Sequence, residues 1–201
     1  MNLEDVQILR RGFLLLFSVA IFALFAVSAG RPFFSGSREI VTAAGWFLII
    51  VCILGRTWCS LYIGGKKISQ LVTAGPYSVC RNPLYFFSIL GSAGVGMQTG
   101  SLLLGLSVAL SVAAVFHIVV QREERALLDL HGPSYADYLR AVPRLIPDLS
   151  LWKGRTDGQY DSRLVRRTFF DASIFLIAIP YQIAIRYLQL HDILPVLLRL
   201  P

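Results

Sequence analysis

Residues 84–120 read LYFFSILGSAGVGMQTGSLLLGLSVALSVAAVFHIVV, thirty-seven positions without one Asp, Glu, Lys or Arg. Gln98-Thr99-Gly100 supplies a very short turn near the middle. On either side, Leu84 to about Met97 and Leu102 to Val120 read as the two arms of a membrane hairpin. A bilayer core takes roughly 20 residues of helix. The second arm meets that length, whereas the first is short and either tilts or gains length from Pro83 and Thr99. Gly91, Gly94 and Gly96 in the first arm are expected to let a neighbouring helix approach closely.

Three further apolar stretches flank the hairpin: Gly12–Ala29 without charge, Ile40 to about Ile63 interrupted by Arg56 alone, and Phe169 to about Leu188 with Asp171 and Arg186 near its ends. The chain has 201 residues, 55% of them hydrophobic and 15% charged. That composition excludes disorder, because there is ample apolar surface to bury, and argues against an ordinary water-soluble fold. The expected fold is all-α: a polytopic membrane protein of about five transmembrane helices carrying a cytosolic cap. Arg10-Arg11-Gly12-Phe13-Leu14 resembles a twin-arginine export signal and Val27-Ser28-Ala29 a cleavage site. More membrane helix follows, so the first stretch is read as an anchor, and either reading puts Gly30–Glu39 outside.

Charge placement orients the bundle. The segments Met1–Arg11, Gly64–Asn82 and Gln121–Thr168 carry 14 of the 19 Lys and Arg, and the opposite segments carry four: Arg31, Arg38, Arg186 and Arg199. By the positive-inside rule the N-terminus is cytosolic and the C-terminus outside, as for a bacterial inner-membrane protein. The net charge of +7 is then a topology signal with a secondary attraction to anionic lipid. No nucleic-acid partner is expected, since no groove-reading motif is present. Cys52, Cys59 and Cys80 lack any CxxC spacing and read as small buried hydrophobes, and His117, His131 and His191 have no ligand spacing, so no metal is expected.

Two cytosolic segments carry the chemistry. In the first, Gly75-Pro76 signals a turn. Asn82-Pro83 signals a helix start, with Asn as N-cap and Pro at the first helical position. A helix start with a positive dipole end is a ready anion site, and Arg81 adds a full charge beside it, between Tyr77 and Tyr85. In the second, the helix of the fourth stretch runs on past Glu123 and Glu124 to a stop at Gly132-Pro133. Because the hairpin brings these ends together, Arg81 and the dipole end are expected to face Glu123 and Glu124 across a narrow gap. That arrangement suits a zwitterion such as an amino-acid headgroup.

GPYSVCRNPLY (Gly75–Tyr85) followed by EERALLDLHGPSYADYLRAVPRLIP (Glu123–Pro147) resembles the isoprenylcysteine carboxyl methyltransferase and phospholipid methyltransferase superfamily over roughly Arg56–Pro147. The resemblance implies an integral-membrane methyltransferase core over 1–147, whose motif region is 56–147, and a cytosolic cap that binds S-adenosylmethionine. Residues 148–201, a cytosolic linker plus an extra C-terminal transmembrane helix, lie outside it. Carried over by position, the cofactor contacts are Leu71, Val72, Gly75, Tyr77, Asn82, Pro83, Leu84, Tyr85 and Glu123. Arg81, Glu124 and His117 are the catalytic candidates: Arg81 as the motif arginine, Glu124 as its expected partner, and His117 for acceptor deprotonation.

The implied activity is methyl transfer to a membrane-embedded lipid or prenylated acceptor at the cytosolic face. The alternatives are an ethanolamine-headgroup phospholipid N-methyltransferase and a non-catalytic membrane scaffold that keeps the pocket. Three positions depart from the pattern: Ser69 where many members have His, Val119 where the carboxyl methyltransferases have an Arg, and Phe87 where several have Gly. The cofactor half therefore matches and the acceptor half differs. Arg56 within a span is a functional candidate by its cost, or else holds the fold through a carbonyl or Asp171. Tyr135 and Tyr138 are expected to pack the cap on the membrane surface.

Overall fold

The computed structural model describes residues 23, 26–30, 36–63, 71–154 and 160–200. The anchor expected over Gly12–Ala29 falls almost wholly outside the described residues, as do Arg10, Arg11 and Ser69. The rest is helical as expected. Helix α1 is Ser37–Ile63, α2 is the single turn Pro76–Val79, α3 is Pro83–Met97, α4 is Leu102–His131 and α5 is Pro133–Ala141. Helix α6, Ser162–Ser173, runs through a 3-10 stretch, Ile174–Ile177, into α7, Ala178–Leu190. Ser37–Ile63, Leu102–His131 and the combined Ser162–Leu190 are each long and apolar enough to cross a membrane. Helix α3, at 15 residues, is shorter.

Local chemistry sets these boundaries. The Ser101 side chain accepts from Leu104 N at 3.2 Å and so caps α4, while the Asp161 carboxylate accepts from Arg163 N and Leu164 N and caps α6. Gly132, at φ +56°, ends α4 in a conformation that disfavours a side chain, and Pro133 opens α5. The expected stop at Gly132-Pro133 is therefore found, and α4 continues eleven residues past Val120, about 16 Å at the helical rise.

Helix α3 lies between α1 and α4, and glycines bring the backbones together. A Cβ on Gly94 would sit 2.5 Å from Gly45 O, and one on Gly96 would sit 2.7 Å from Gly105 Cα. This is the close approach expected of the glycine-rich arm. Helix α6 docks on α1, where Ala172 packs with Ile49 and Ile53, and Tyr181 of α7 packs against Val108, Val112 and Phe116. The turn at residues 98–101 meets the start of α1, since a Cβ on Gly100 would touch the Arg38 side chain. An unexpected three-residue parallel ladder pairs β1, Ser28–Gly30, with β2, Leu198–Leu200. It leaves the all-α class unchanged. The opposite end of the bundle gathers the end of α1, the start of α3 and the end of α4.

Gly94→Val should cost about 1–3 kcal/mol of stability by overpacking, read from unfolding in mixed micelles. Gly154→Ala, which meets open space, should change it by less than about 0.5 kcal/mol.

Candidate functional site

A turn of backbone buried between helices needs partners for its amides, and residues 75–82 find them partly within the turn, at Ala74 O, Gly75 O and Pro76 O, and partly in residues 143–153. Gly75 N donates to Lys153 O at 2.8 Å, Arg81 N to Pro143 O at 2.9 Å, and Asp148 N to Val79 O at 2.9 Å. The Cys80 thiol donates to Leu145 O at 3.1 Å, and Lys153 N donates to Ser78 Oγ at 2.9 Å. The strap that follows α5 thus holds the 75–82 turn in place. Gly75 is required twice over: its φ is +61°, and a Cβ there would run into the Tyr62 ring. Trp152 at the end of the strap stacks on Trp58 of α1, with centroids 5.7 Å apart.

Asn82 occupies the N-cap position of α3, with Pro83 first in the helix, but its side chain makes no capping bond. Its amide donates instead to Arg144 O at 3.1 Å. The strap claims this side chain, so the first turn of α3 is left without a side-chain cap.

Beneath the turn lies a cavity of about 330 Å³, within the size range of small-molecule sites. Leu71, Val72, Tyr77, Arg81, Asn82, Pro83, Leu84, Tyr85 and Glu123 line it, which brings nine of the sequence-derived candidates to one place. Gly75, Glu124 and His117 are not among its lining residues. Gly75 shapes the turn above. His117 is exposed on α4, with its Nε2 2.8 Å from Gln121 Nε2.

Glu123 and Glu124 both face Arg81 in the sequence reading, with Glu124 as its partner, and helical geometry separates the two by about 100°. Glu123 lines the cavity and accepts from the Tyr85 hydroxyl at 2.9 Å. Glu124, only 6% exposed, pairs with Arg81 Nη1 at 3.1 Å and Arg144 Nη2 at 2.9 Å. Arg81 therefore touches Glu124 directly, and only Glu123 presents a carboxylate to the cavity.

Several lining residues were not assigned to the site from sequence: Arg56, Ile63, Ser88, Phe116, Leu127, His131, Tyr135 and Tyr138. Helical spacing carried the signal. Phe116, Glu123, Leu127 and His131 fall at intervals of seven, four and four, which is one stripe of α4. Tyr135 and Tyr138 are inside the protein rather than at a membrane surface, 3% and 8% exposed, and the Tyr138 hydroxyl donates to Tyr77 O at 2.7 Å. Arg56 bonds the Ser88 hydroxyl. The alternative partner, Asp171, pairs with Arg167 at 3.8 Å. Phe87 lies against Gly55, where any Cβ would meet its ring, so the larger side chain is accommodated by a glycine on the facing helix.

Four side-chain atoms on this one cavity are buried without a hydrogen-bond partner: Arg56 Nε, Arg81 Nε, Tyr77 OH and His131 Nε2. Buried polar groups are almost always satisfied, so their convergence marks a place where a ligand supplies the missing partners. Burial raises the phenols of Tyr77 and Tyr138 well above their ordinary range and pushes Tyr135 up to about 12, with the Glu124 carboxylate adding to the effect. All three phenols stay protonated at neutral pH. Among the described residues, no group of three or more His, Cys, Asp or Glu is placed to hold a metal ion.

Glu124→Ala leaves two cations without their buried counter-charge and should cost about 3–5 kcal/mol, measured by unfolding in mixed micelles; Glu123→Ala should cost far less. Since the folded pKa of Tyr135 exceeds its unfolded value, its contribution to stability is complete below about pH 10 and is lost as pH rises through about 12. Tyr135→Phe should flatten that alkaline loss.

Residues 40–134, which include every lining residue of the cavity except Tyr135 and Tyr138, match the phospholipid methyltransferase family. The chain is similar to the cobalt-zinc-cadmium resistance protein CzcN of Cupriavidus metallidurans, 34% identical over 160 residues, which are 79% of this chain and 74% of that protein. It is 31% identical over 116 residues to methanethiol S-methyltransferase of Crocosphaera subtropica, covering 52% of this chain and 44% of that one. It is 34% identical over 77 residues to protein-S-isoprenylcysteine O-methyltransferase of Mus musculus, covering 38% and 27%. No solved structure matches the chain significantly. With its two motifs folded onto a single cavity at the end of an apolar helical bundle, the chain belongs to the superfamily of membrane methyltransferases that contains the phospholipid and isoprenylcysteine carboxyl methyltransferases.

Proposed function

We propose that this protein is an integral-membrane, S-adenosylmethionine-dependent methyltransferase acting on a membrane-embedded lipid or prenylated acceptor at the cytosolic face. The observation that carries the reading is the convergence of Arg81, the uncapped start of α3 and Glu123 on one cavity, where Arg81 Nε and Tyr77 OH are buried without partners. Their chemistry fits an amino-acid headgroup joined to a nucleoside. Arg81 and the uncapped start of α3 suit a carboxylate. Glu123, held by the Tyr85 hydroxyl, suits an ammonium. Leu71, Val72, Pro83, Leu84 and the rings of Tyr77 and Tyr85 form apolar and aromatic walls for a base and for a sulfonium.

When bound, the donor supplies an electrophilic methyl group. The protein's own residues then have three tasks. The strap and the 75–82 turn hold the donor's charged end rigidly, and such fixed placement of reactants can replace about 7–11 kcal/mol of barrier. The buried tyrosines exclude water from the cavity. His131 Nε2, in the cavity and unpartnered, is placed to take a proton from an amine acceptor, the task the sequence suggested for His117. A carboxylate acceptor needs no such base. A lipid acceptor also accounts for the membrane setting, since drawing its chain into water costs about 0.8 kcal/mol per CH₂. The positive-inside distribution supports a cytosolic site.

Calorimetry of the detergent-solubilised protein should show S-adenosylmethionine and S-adenosylhomocysteine binding, weakened about tenfold or more by Glu123→Ala, since a hydrogen bond to a charged group is worth about 1.5–3 kcal/mol. No binding by the wild type would favour the scaffold reading. Radiolabelled methyl transfer into total lipid or into a farnesylcysteine analogue then distinguishes the acceptors.

A further inference from the structure

The strap that pins the 75–82 turn carries an apolar ridge that the cavity does not use. Ile146, Leu149 and Trp152 recur at intervals of three and are 78%, 77% and 45% exposed. The 3-10 turn Leu149–Leu151 lies between the last two, and its three residues per turn set Leu149 and Trp152 on one side. Large apolar side chains on the spanning helices face lipid as a matter of course. These three belong to a segment that spans nothing, so their exposure marks a surface that something apolar covers.

The height of the strap identifies what covers it. Helix α1 has 27 residues and rises about 40 Å, the thickness of a bilayer with its headgroups, so its midpoint, Ile50, marks the midplane. Trp58 lies about 12 Å from that plane and Ile63 about 20 Å. The edge of the hydrocarbon, at about 15 Å, falls between them. Trp152 stacks on Trp58, and Tyr77 of the turn packs with Cys59 and Ile63. The strap is bonded along this same turn, through Asp148 N to Val79 O and the Cys80 thiol to Leu145 O. Turn and strap therefore sit at the level of the lipid headgroups. Irregular backbone stays out of hydrocarbon, but apolar side chains reach into it from that level, as interfacial tryptophans do. Lys153, exposed beside Trp152, suits a lipid phosphate. The Asp148 carboxylate is turned onto Ser150, accepting from its N at 3.0 Å and its Oγ at 2.6 Å.

We infer that the strap is a lipid-docking element. Ile146, Leu149 and Trp152 dip into the leaflet on the cavity side, and the bilayer thereby holds the roof of the cavity in place. The turn takes Lys153 O and Pro143 O from the strap as partners for two of its amides, so a strap lifted from lipid leaves the turn less protected.

Cys52, Cys59 and Cys80 are 0% exposed, so a thiol introduced at the surface can be labelled alone in the folded chain. The test places the full chain in nanodiscs of phosphatidylcholine and phosphatidylglycerol. An NBD fluorophore on Ile146→Cys or Leu149→Cys should be quenched about threefold or more strongly by lipid carrying a nitroxide near the glycerol end of its acyl chain than by aqueous iodide. The same label on Asp129→Cys, exposed near the end of α4, should show the reverse order. Ile146→Ser combined with Leu149→Ser should speed amide hydrogen exchange in residues 75–82 about tenfold, since each buried aliphatic side chain is lost from an apolar setting. Stronger quenching by iodide at both strap positions overturns the inference, as does exchange that the two serines leave unchanged. Shielding from both quenchers also overturns it, because protein, a second copy of the chain included, would then cover the ridge.

Discussion

The site depends on one buried carboxylate. Glu124 projects from α4 between Arg81, on the 75–82 turn, and Arg144, on the strap. Three chain segments far apart in sequence meet on it. Two arginines so close would repel each other and open the turn, and the carboxylate reverses that sign. At 6% exposure Glu124 is shielded from solvent and Arg81 is nearly as enclosed, while the Arg144 side chain reaches the surface, so the contact between Glu124 and Arg81 tolerates little rearrangement. The amide and thiol bonds between the turn and the strap then follow, and Tyr138 seals the arrangement by bonding Tyr77 O.

This constraint also explains the division of labour between adjacent glutamates. A helix turns about 100° per residue, so when Glu124 faces inward to the arginines, Glu123 must face elsewhere, and here it faces the cavity. The two adjacent carboxylates therefore have different neighbours: Glu124 the two arginines, and Glu123 the cavity. The four unsatisfied polar atoms belong to different elements: α1, the turn, and α4.

The membrane-facing half follows another rule. Apolar helices gain little from hydrophobic association in lipid, so close packing through glycine takes its place. Gly45 against Gly94, and Gly96 against Gly105, draw α1, α3 and α4 together at the end away from the cavity. At the cavity end Phe87, set over Gly55, and Ser88, bonded to Arg56, place larger and polar side chains between the same helices. The short α3 thus acts as a wedge whose tight end is glycine and whose open end borders the cavity.

Much of this was legible along the chain. Hydropathy marked the apolar helices, Gly132-Pro133 marked the end of α4, and the family resemblance marked nine of the residues that line the cavity, seven of them within the two motifs, because hydropathy, turn chemistry and motif spacing are properties of neighbouring residues. Asn82 shows the limit: its residue type and position are those of an N-cap, yet a carbonyl 62 residues away takes its amide. Arg56 shows the same limit from the other side, since nothing adjacent to it marks it as a wall of the cavity. The sequence by itself determined the all-α class, the ends of the helices and the family motifs. Only the tertiary structure decided which side chains face the cavity, which are buried as partners, and which, like His117, lie outside, because those outcomes are set by helix rotation and by contacts between segments that the order of residues does not place side by side.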